Sequence, residues 1–296
     1  MTSEIVLATG SYDGIIRFWK AAEQKCIAQI DFDTTVCGLA ISPNRQFIAG
    51  CGLNSLRVFR VDNQLQQTFL RPDQDQCCFS QVLFSKAGDY IFGASEDGSL
   101  KAFETRQLSQ AFSYKNKAVI NSVASFDSYV IFGDQNGRLT QLDIRSPKQP
   151  VNIIQAFDLD IGVRYVSYQN KRLVCCDSRG ILQLYDTTSM SQLQSIQGHS
   201  DQIHKAKLSP DATQLVSTGA DRTVKLWSLK SDKLVKTAQM GVENCCLDVD
   251  WNSTGQFLLV GVDKCPKLFT AGNGTFDIVK QYGGHGKFVT AVALAD

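Results

Sequence analysis

The chain has 296 residues, with 30 Lys+Arg against 29 Asp+Glu and a net charge of +1, so no sequence-wide field draws it to nucleic acid or to an anionic membrane. Its 43% hydrophobic content, 17 Phe and 22 Gly supply a sizeable core and many tight turns, and one domain over residues 1–296 is expected. No apolar stretch approaches the roughly 20 residues of a membrane-spanning helix.

The start, Met1-Thr2-Ser3-Glu4, is acidic, and the apolar run from Ile5 to Ala8 is too short for a secretory leader. The ten cysteines are therefore expected to be reduced thiols. Cys77-Cys78, Cys175-Cys176 and Cys245-Cys246 are adjacent pairs, and neighbours on a strand point to opposite faces. That is poor geometry for a shared metal, and no C-x-x-C occurs, so no metal or cofactor is expected.

In chain order, one pattern of strand, tight turn and strand recurs. It appears as Thr9-Gly-Ser-Tyr-Asp-Gly-Ile-Ile-Arg-Phe-Trp19, Gly50-Cys-Gly-Leu-Asn-Ser-Leu-Arg-Val-Phe59 and Gly93-Ala-Ser-Glu-Asp-Gly-Ser-Leu-Lys-Ala-Phe103. Then come Gly133-Asp-Gln-Asn-Gly-Arg-Leu-Thr-Gln-Leu142, Cys175-Cys-Asp-Ser-Arg-Gly-Ile-Leu-Gln-Leu-Tyr185, Thr218-Gly-Ala-Asp-Arg-Thr-Val-Lys-Leu-Trp227 and Gly261-Val-Asp-Lys-Cys-Pro-Lys-Leu-Phe269. The copies end at 19, 59, 103, 142, 185, 227 and 269, with steps of 40, 44, 39, 43, 42 and 42. Period-two alternation flanks the turns, and the Asp-Gly and Asn-Gly pairs provide the positive φ that such turns need.

Four strands fit in each repeat, as in Ile203 to Ser209, Gln214 to Ala220, Val224 to Leu229 and Leu234 to Met240. Polar turns join the first and second strands: Ser-Pro at 42–43 and 209–210, Ser85-Lys-Ala-Gly88 and Asn252-Ser-Thr-Gly255. The expected fold is all-β, a seven-bladed propeller of four-stranded blades, since stacking around a ring buries both faces of every sheet. The chain begins at a second strand, Ile5 to Gly10, and ends on a first strand, Phe288 to Leu294. One blade is therefore expected to be split, the C-terminal strand joining the N-terminal ones and closing the ring.

Gly198-His199 lies 28 residues before Trp227-Ser228, and a second Gly-His is Gly284-His285. This spacing resembles that of the WD-repeat family. The resemblance implies a buried hydrogen-bonded chain of His199, Ser217, Asp221 and Trp227, and a second of His285, Thr9, Asp13 and Trp19 across the chain ends. These are also the residue types of a catalytic triad, but a nucleophile has no reason to recur in two blades or to need a Trp. Leu53, Asn136 and Arg179 stand where the turn Asp belongs, so the other five blades are expected to rest on packing alone.

Propeller enzymes need a cluster of polar ligands around the channel. The nearest set, Glu243, Asp248 and Asp250, reads as exposed loop and strand rim, so no catalytic residue is assigned. A binding platform should instead crowd large or polar side chains on one rim. In the WD-repeat pattern these fall on Tyr12, Glu96, Gln135, Gln202, His204, Phe288 and Thr290 and, by strand alignment, on Asn121 and Arg164. Tyr12 and Phe288 are adjacent at the split blade and suit an interface anchor.

The opening Ile5-Val-Leu-Ala-Thr-Gly-Ser-Tyr-Asp-Gly-Ile-Ile-Arg-Phe-Trp-Lys-Ala21, the stretch Ile131-Phe-Gly-Asp-Gln-Asn-Gly-Arg-Leu139 and the ending Tyr282-Gly-Gly-His-Gly-Lys-Phe-Val-Thr-Ala-Val292 resemble one family. It is the G-protein-β-subunit-like family, also named lethal with sec-thirteen protein eight. The likeness is strongest in the first and last blades and around Ser209 to Trp227, as in a divergent member. It implies a non-catalytic shared subunit of TOR (target of rapamycin) kinase complexes, docked on the C-terminal lobe of a phosphatidylinositol-kinase-like protein kinase and stabilising its active form. It implies contact with other complex subunits indirectly, and a cytoplasmic location with peripheral recruitment to endomembranes. Two rivals are a ubiquitin-ligase substrate receptor, whose aromatic-Asp-x-Arg signature Leu142-Asp-Ile-Arg145 approximates, and a trafficking or heterotrimeric-G-protein scaffold.

Overall fold

In a computed structural model, residues 6–61, 67–68, 77–271 and 275–295 are described, and among them every regular element is a strand. The strands form seven four-stranded antiparallel sheets, and the fold is a seven-bladed β-propeller. Two compact units divide the chain, residues 1–35 with 165–296 and residues 36–164.

The first unit opens with β1 (Val6–Ser11), β2 (Ile15–Lys20) and β3 (Lys25–Asp31). The second unit holds three sheets. They are β4 (Val36–Ile41), β5 (Phe47–Gly52), β6 (Ser55–Arg60) and β7 (Gln67–Thr68); β8 (Phe79–Phe84), β9 (Tyr90–Ser95), β10 (Ser99–Glu104) and β11 (Gln110–Lys115); and β12 (Ile120–Phe126), β13 (Tyr129–Asp134), β14 (Arg138–Asp143) and β15 (Pro150–Gln155). The next sheet holds β16 (Val163–Gln169), within which the first unit resumes at Tyr165, with β17 (Arg172–Asp177), β18 (Ile181–Asp186) and β19 (Ser191–Gln197). Next come β20 (Ile203–Leu208), β21 (Gln214–Gly219), β22 (Thr223–Lys230) and β23 (Lys233–Gly241), followed by β24 (Cys246–Trp251), β25 (Phe257–Val262), β26 (Lys267–Thr270) and β27 (Asp277–Gln281). The last strand, β28 (Val289–Ala295), pairs with β1 to complete the order β28-β1-β2-β3, so the split blade is formed from both chain ends.

Burial explains the sheets. The second strand of each blade is almost wholly buried, as in Leu-Val-Ser-Thr-Gly at 215–219, while an outer strand such as β3 alternates. In the first unit, Leu7, Trp19, Tyr282, Val289 and Val292 join Leu259 and Leu268 in one apolar cluster, which packs the split sheet on its neighbour. In the second, Leu56, Val58, Phe79, Val82 and Ile91 do the same between the sheets of β4–β7 and β8–β11.

The polar turns between first and second strands share one construction. Ser42, Ser85, Ser209 and Asn252 each give a backbone N–H to the carbonyl five residues on and accept that residue's N–H on the side-chain oxygen. At the tight turns between second and third strands, Gly14, Gly98, Gly137 and Gly180 have positive φ. A Cβ at Gly137 would sit 2.6 Å from the carbonyl oxygen of Phe157, so glycine is required there for space as well as for conformation. None of the ten cysteines is in a disulfide.

Candidate functional site

Two hydrogen-bonded chains stand at the turn ends of the blades. In the blade of β20–β23, Trp227 Nε1 donates to Ser217 Oγ at 2.8 Å, and Ser217 Oγ is 2.7 Å from His199 Nε2. His199 Nδ1 lies 2.9 Å from Asp221 Oδ1, which also accepts from Thr223. Only one tautomer satisfies every partner: Nδ1 carries the proton toward the carboxylate, Nε2 accepts from the serine, and the serine accepts from the indole. Burial pushes His199 below the ordinary imidazole range, against the pull of Asp221, so the ring is neutral. Burial alone would raise Asp221, but its bonds to His199 and Thr223 hold it well below the usual carboxylate range.

The second chain bridges the two ends of the sequence. Trp19 Nε1 donates to Thr9 Oγ1 at 2.8 Å, Thr9 Oγ1 is 2.8 Å from His285 Nε2, and His285 Nδ1 is 3.1 Å from Asp13 Oδ2. Gly286 N and Arg17 Nη1 reach the same carboxylate at 3.0 and 2.9 Å. Burial would raise Asp13, yet these donors hold it at about 2. His285 is lowered by burial and further by Arg17. Each hydroxyl is saturated by indole and imidazole and buried, so neither can present a nucleophile to a substrate.

Three of the remaining five blades are not left to packing alone, which corrects the expectation from sequence for them. In the blades of β12–β15 and β16–β19, Asp134 and Asp177, two residues before the expected turn position, take over the turn. Asp134 Oδ1 accepts the N–H groups of Asn136 and Arg138, and Asp177 Oδ1 those of Arg179 and Ile181. In the blade of β8–β11, Asp97 sits in the expected place, accepting from Ser99 and Lys115, with the thiol of Cys77 at 3.5 Å where the others have imidazole.

A second correction concerns Asp248 and Asp250, which are not an exposed rim. Asp248 is buried, forms an ion pair with Lys205 and accepts Val292 N at 2.8 Å; Asp250 pairs with Lys207 and accepts Leu294 N at 3.1 Å. Burial would lower Lys205, but the carboxylate of Asp248 holds its ammonium above the usual range. These carboxylates join three successive inner strands, β20, β24 and β28. Ser167 Oγ, accepting Leu208 N, links β16 to β20 in the same way. In the second unit, Gln81 Oε1 accepts Val123 N, and Ser80 Oγ donates to the carbonyl of Ile120. Their signal in the sequence was a polar residue on a first strand about one repeat before its partner. Glu243 lies outside this set, exposed before β24 as expected from the sequence.

The rim candidates divide by exposure. Tyr12 and Phe288 are 48% and 40% exposed, and Tyr12 N donates to the carbonyl of Phe288 at 3.0 Å, so the two aromatics stand side by side in one unit. Glu96 and Gln135 are exposed as well. Asn121, Arg164, Gln202, His204 and Thr290 are half-buried. Asn121 Nδ2 donates to the carbonyl of Val163 at 2.8 Å and Thr290 Oγ1 to that of Gly10 at 3.3 Å, so both serve strand-to-strand bonding. In Leu142-Asp-Ile-Arg145, Leu142 is buried and the Arg145 guanidinium is engaged by Asp143 through two bonds of 2.9 and 2.6 Å. Among the described residues no group of His, Cys, Asp and Glu is arranged to hold a metal ion, and no helix is long and apolar enough to cross a membrane.

Residues 190–228 match the family described as "WD domain, G-beta repeat". Over its whole length the chain is similar to proteins of one kind. It is 26% identical over 309 residues to "Protein LST8 homolog" of Drosophila melanogaster, covering 99% of this chain and 97% of that protein. It is 25% identical to "Target of rapamycin complex subunit wat1" of Schizosaccharomyces pombe, covering 99% and 96%. With "Target of rapamycin complex subunit LST8-1" of Arabidopsis thaliana it shares 28% identity over 78% of this chain and 79% of that protein. A chain in the crystal structure of a mitotic checkpoint complex has the same fold, with a TM-score of 0.77 at 11% identity, covering 86% of this chain and 79% of that one. The chain is thus a seven-bladed propeller with one stretch that matches the WD-repeat family, and over nearly its whole length it resembles the LST8 proteins.

Proposed function

We propose that this chain is a non-catalytic subunit of a target of rapamycin kinase complex, a rigid propeller that binds the kinase domain on its C-terminal lobe and stabilises the active form. The observation that carries this reading is the end-to-end similarity to proteins named as subunits of that complex, at nearly equal length. The site chemistry supports it: the triad-type residues are saturated by one another and by tryptophan, so neither Ser217 nor Thr9 serves as a nucleophile. What the surface offers instead is the Tyr12 and Phe288 pair, two large aromatics with little rotamer entropy to lose on binding.

Affinity capture of the tagged chain from its own cell tests the reading. Recovery of a very large phosphatidylinositol-kinase-like protein kinase is expected, and recovery of cullin adaptors or coat proteins without it refutes the reading. Tyr12→Ala with Phe288→Ala should reduce the captured kinase by about tenfold or more, the loss of two aromatic anchors at about 1–2 kcal/mol each.

A further inference from the structure

The outermost strand of a propeller blade is a free sheet edge, and proteins protect such edges with charge, above all lysine. Among the described outer strands longer than two residues, β3 carries Lys25 and Asp31, β11 Lys115, β23 Lys233 and Lys236, and β27 Asp277 and Lys280; β19 is uncharged but exposes no large apolar side chain. β15, Pro-Val-Asn-Ile-Ile-Gln, is different: it has no charge, and Val151 and Ile153 are 51% and 58% exposed. Ala156 N donates inward to the carbonyl of Gly137 at 2.9 Å. By the alternation of an antiparallel ladder, Ile154 faces β14 as well, and Ile153 and Gln155 turn their N–H and C=O groups outward.

We infer that β15 pairs with β15 of a second copy of this chain, antiparallel about a two-fold axis at Ile153. Three features favour a second copy over a foreign strand. The hydrogen-bonding parity is self-consistent at the axis, where Ile153 meets Ile153, and Gln155 of each copy falls opposite Val151, at the bulge, of the other. The flanks are complementary in charge. Exposed Lys148 lies five residues before the axis and exposed Asp158 five after it, so an antiparallel pair brings the basic turn of each copy to the acidic turn of the other. At a net charge of +1, two copies also repel each other little. The edge is short, with Pro150 and a bulge at its start, so the dimer is weak.

Sedimentation velocity of the purified full chain, from about 1 μM to 0.5 mM, tests this over the range expected of a small interface. A concentration-dependent dimer is expected, and Ile153→Lys, at an exposed site that leaves the fold intact by its melting curve, should abolish it. Lys148→Asp and Asp158→Lys should each weaken dimerisation by about tenfold, because the symmetry makes both flanking pairs repulsive. The double variant Lys148→Asp/Asp158→Lys should restore it. A monomer throughout, or a dimer indifferent to Ile153→Lys and to the charge reversals, overturns the inference.

Discussion

His199 has a different partner on each ring nitrogen, and burial keeps the ring neutral against the pull of Asp221. The carboxylate of Asp221 takes the Nδ1 proton and the hydroxyl of Ser217 fills the Nε2 lone pair, with Trp227 behind it. Asp221→Ala strands the imidazole N–H in a buried site and should cost about 1–3 kcal/mol, since one buried donor is left unsatisfied. For a chain of this size, that lowers the melting temperature by a few degrees in a thermal scan. The pH dependence has a defined sign. Both histidines titrate below 6.5 when folded, so their contribution is complete above pH 6.5 and declines as pH falls, when the unfolded chain takes up protons that the folded chain refuses. Asp13, held at about 2 against 3.8, loses its contribution as pH falls from 3.8 toward 2. Denaturant midpoints should therefore be lower at pH 5.5 than at pH 7.5, and His199→Gln with His285→Gln should flatten that difference. An unaltered pH slope in the double variant would refute the neutral-histidine arrangement.

Individual blades show what sequence can and cannot disclose. The strand count follows from a period of about 42 and from turn residues of fixed type, because backbone geometry demands them at every repeat. Both complete polar chains were also legible, since their residue types and spacing are shared with a known pattern. Asp134 and Asp177 were not: each reaches its turn from two residues upstream, a displacement in sequence that leaves the carboxylate able to accept N–H groups of the same turn. The Asp248 and Asp250 bridges were misread because a polar residue on an inner strand looks like a solvent-facing one until the neighbouring strand is placed. Asp248→Ala leaves Lys205 buried without its carboxylate and Val292 N–H without an acceptor, and should cost about 3–5 kcal/mol. Lys205→Met with Asp248→Leu removes both charges and should cost less than Asp248→Ala alone. Urea unfolding of the three proteins checks the order; equal losses would mean that the pair is not closed.

At the scale of the whole molecule, the two ends of the chain make one sheet and one polar chain, so stability there depends on residues nearly the full sequence apart. Removing Phe288 to Asp296 takes away β28, the amides that Asp248 and Asp250 bind, and the exposed ring beside Tyr12. The truncated chain should lose cooperative unfolding when followed by circular dichroism. A melt like that of the intact chain would show that the C-terminal strand is dispensable. The blade that closes the chain is also the one that presents the aromatic pair, so binding and integrity are coupled at Tyr12 and Phe288. The most direct measurement is binding of the purified chain to the purified kinase domain of a target of rapamycin kinase, with kinase activity followed in the same samples. A stoichiometric complex with raised activity, weakened by the Tyr12→Ala/Phe288→Ala variant, is predicted; a folded chain that forms no complex and leaves activity unchanged would contradict the account.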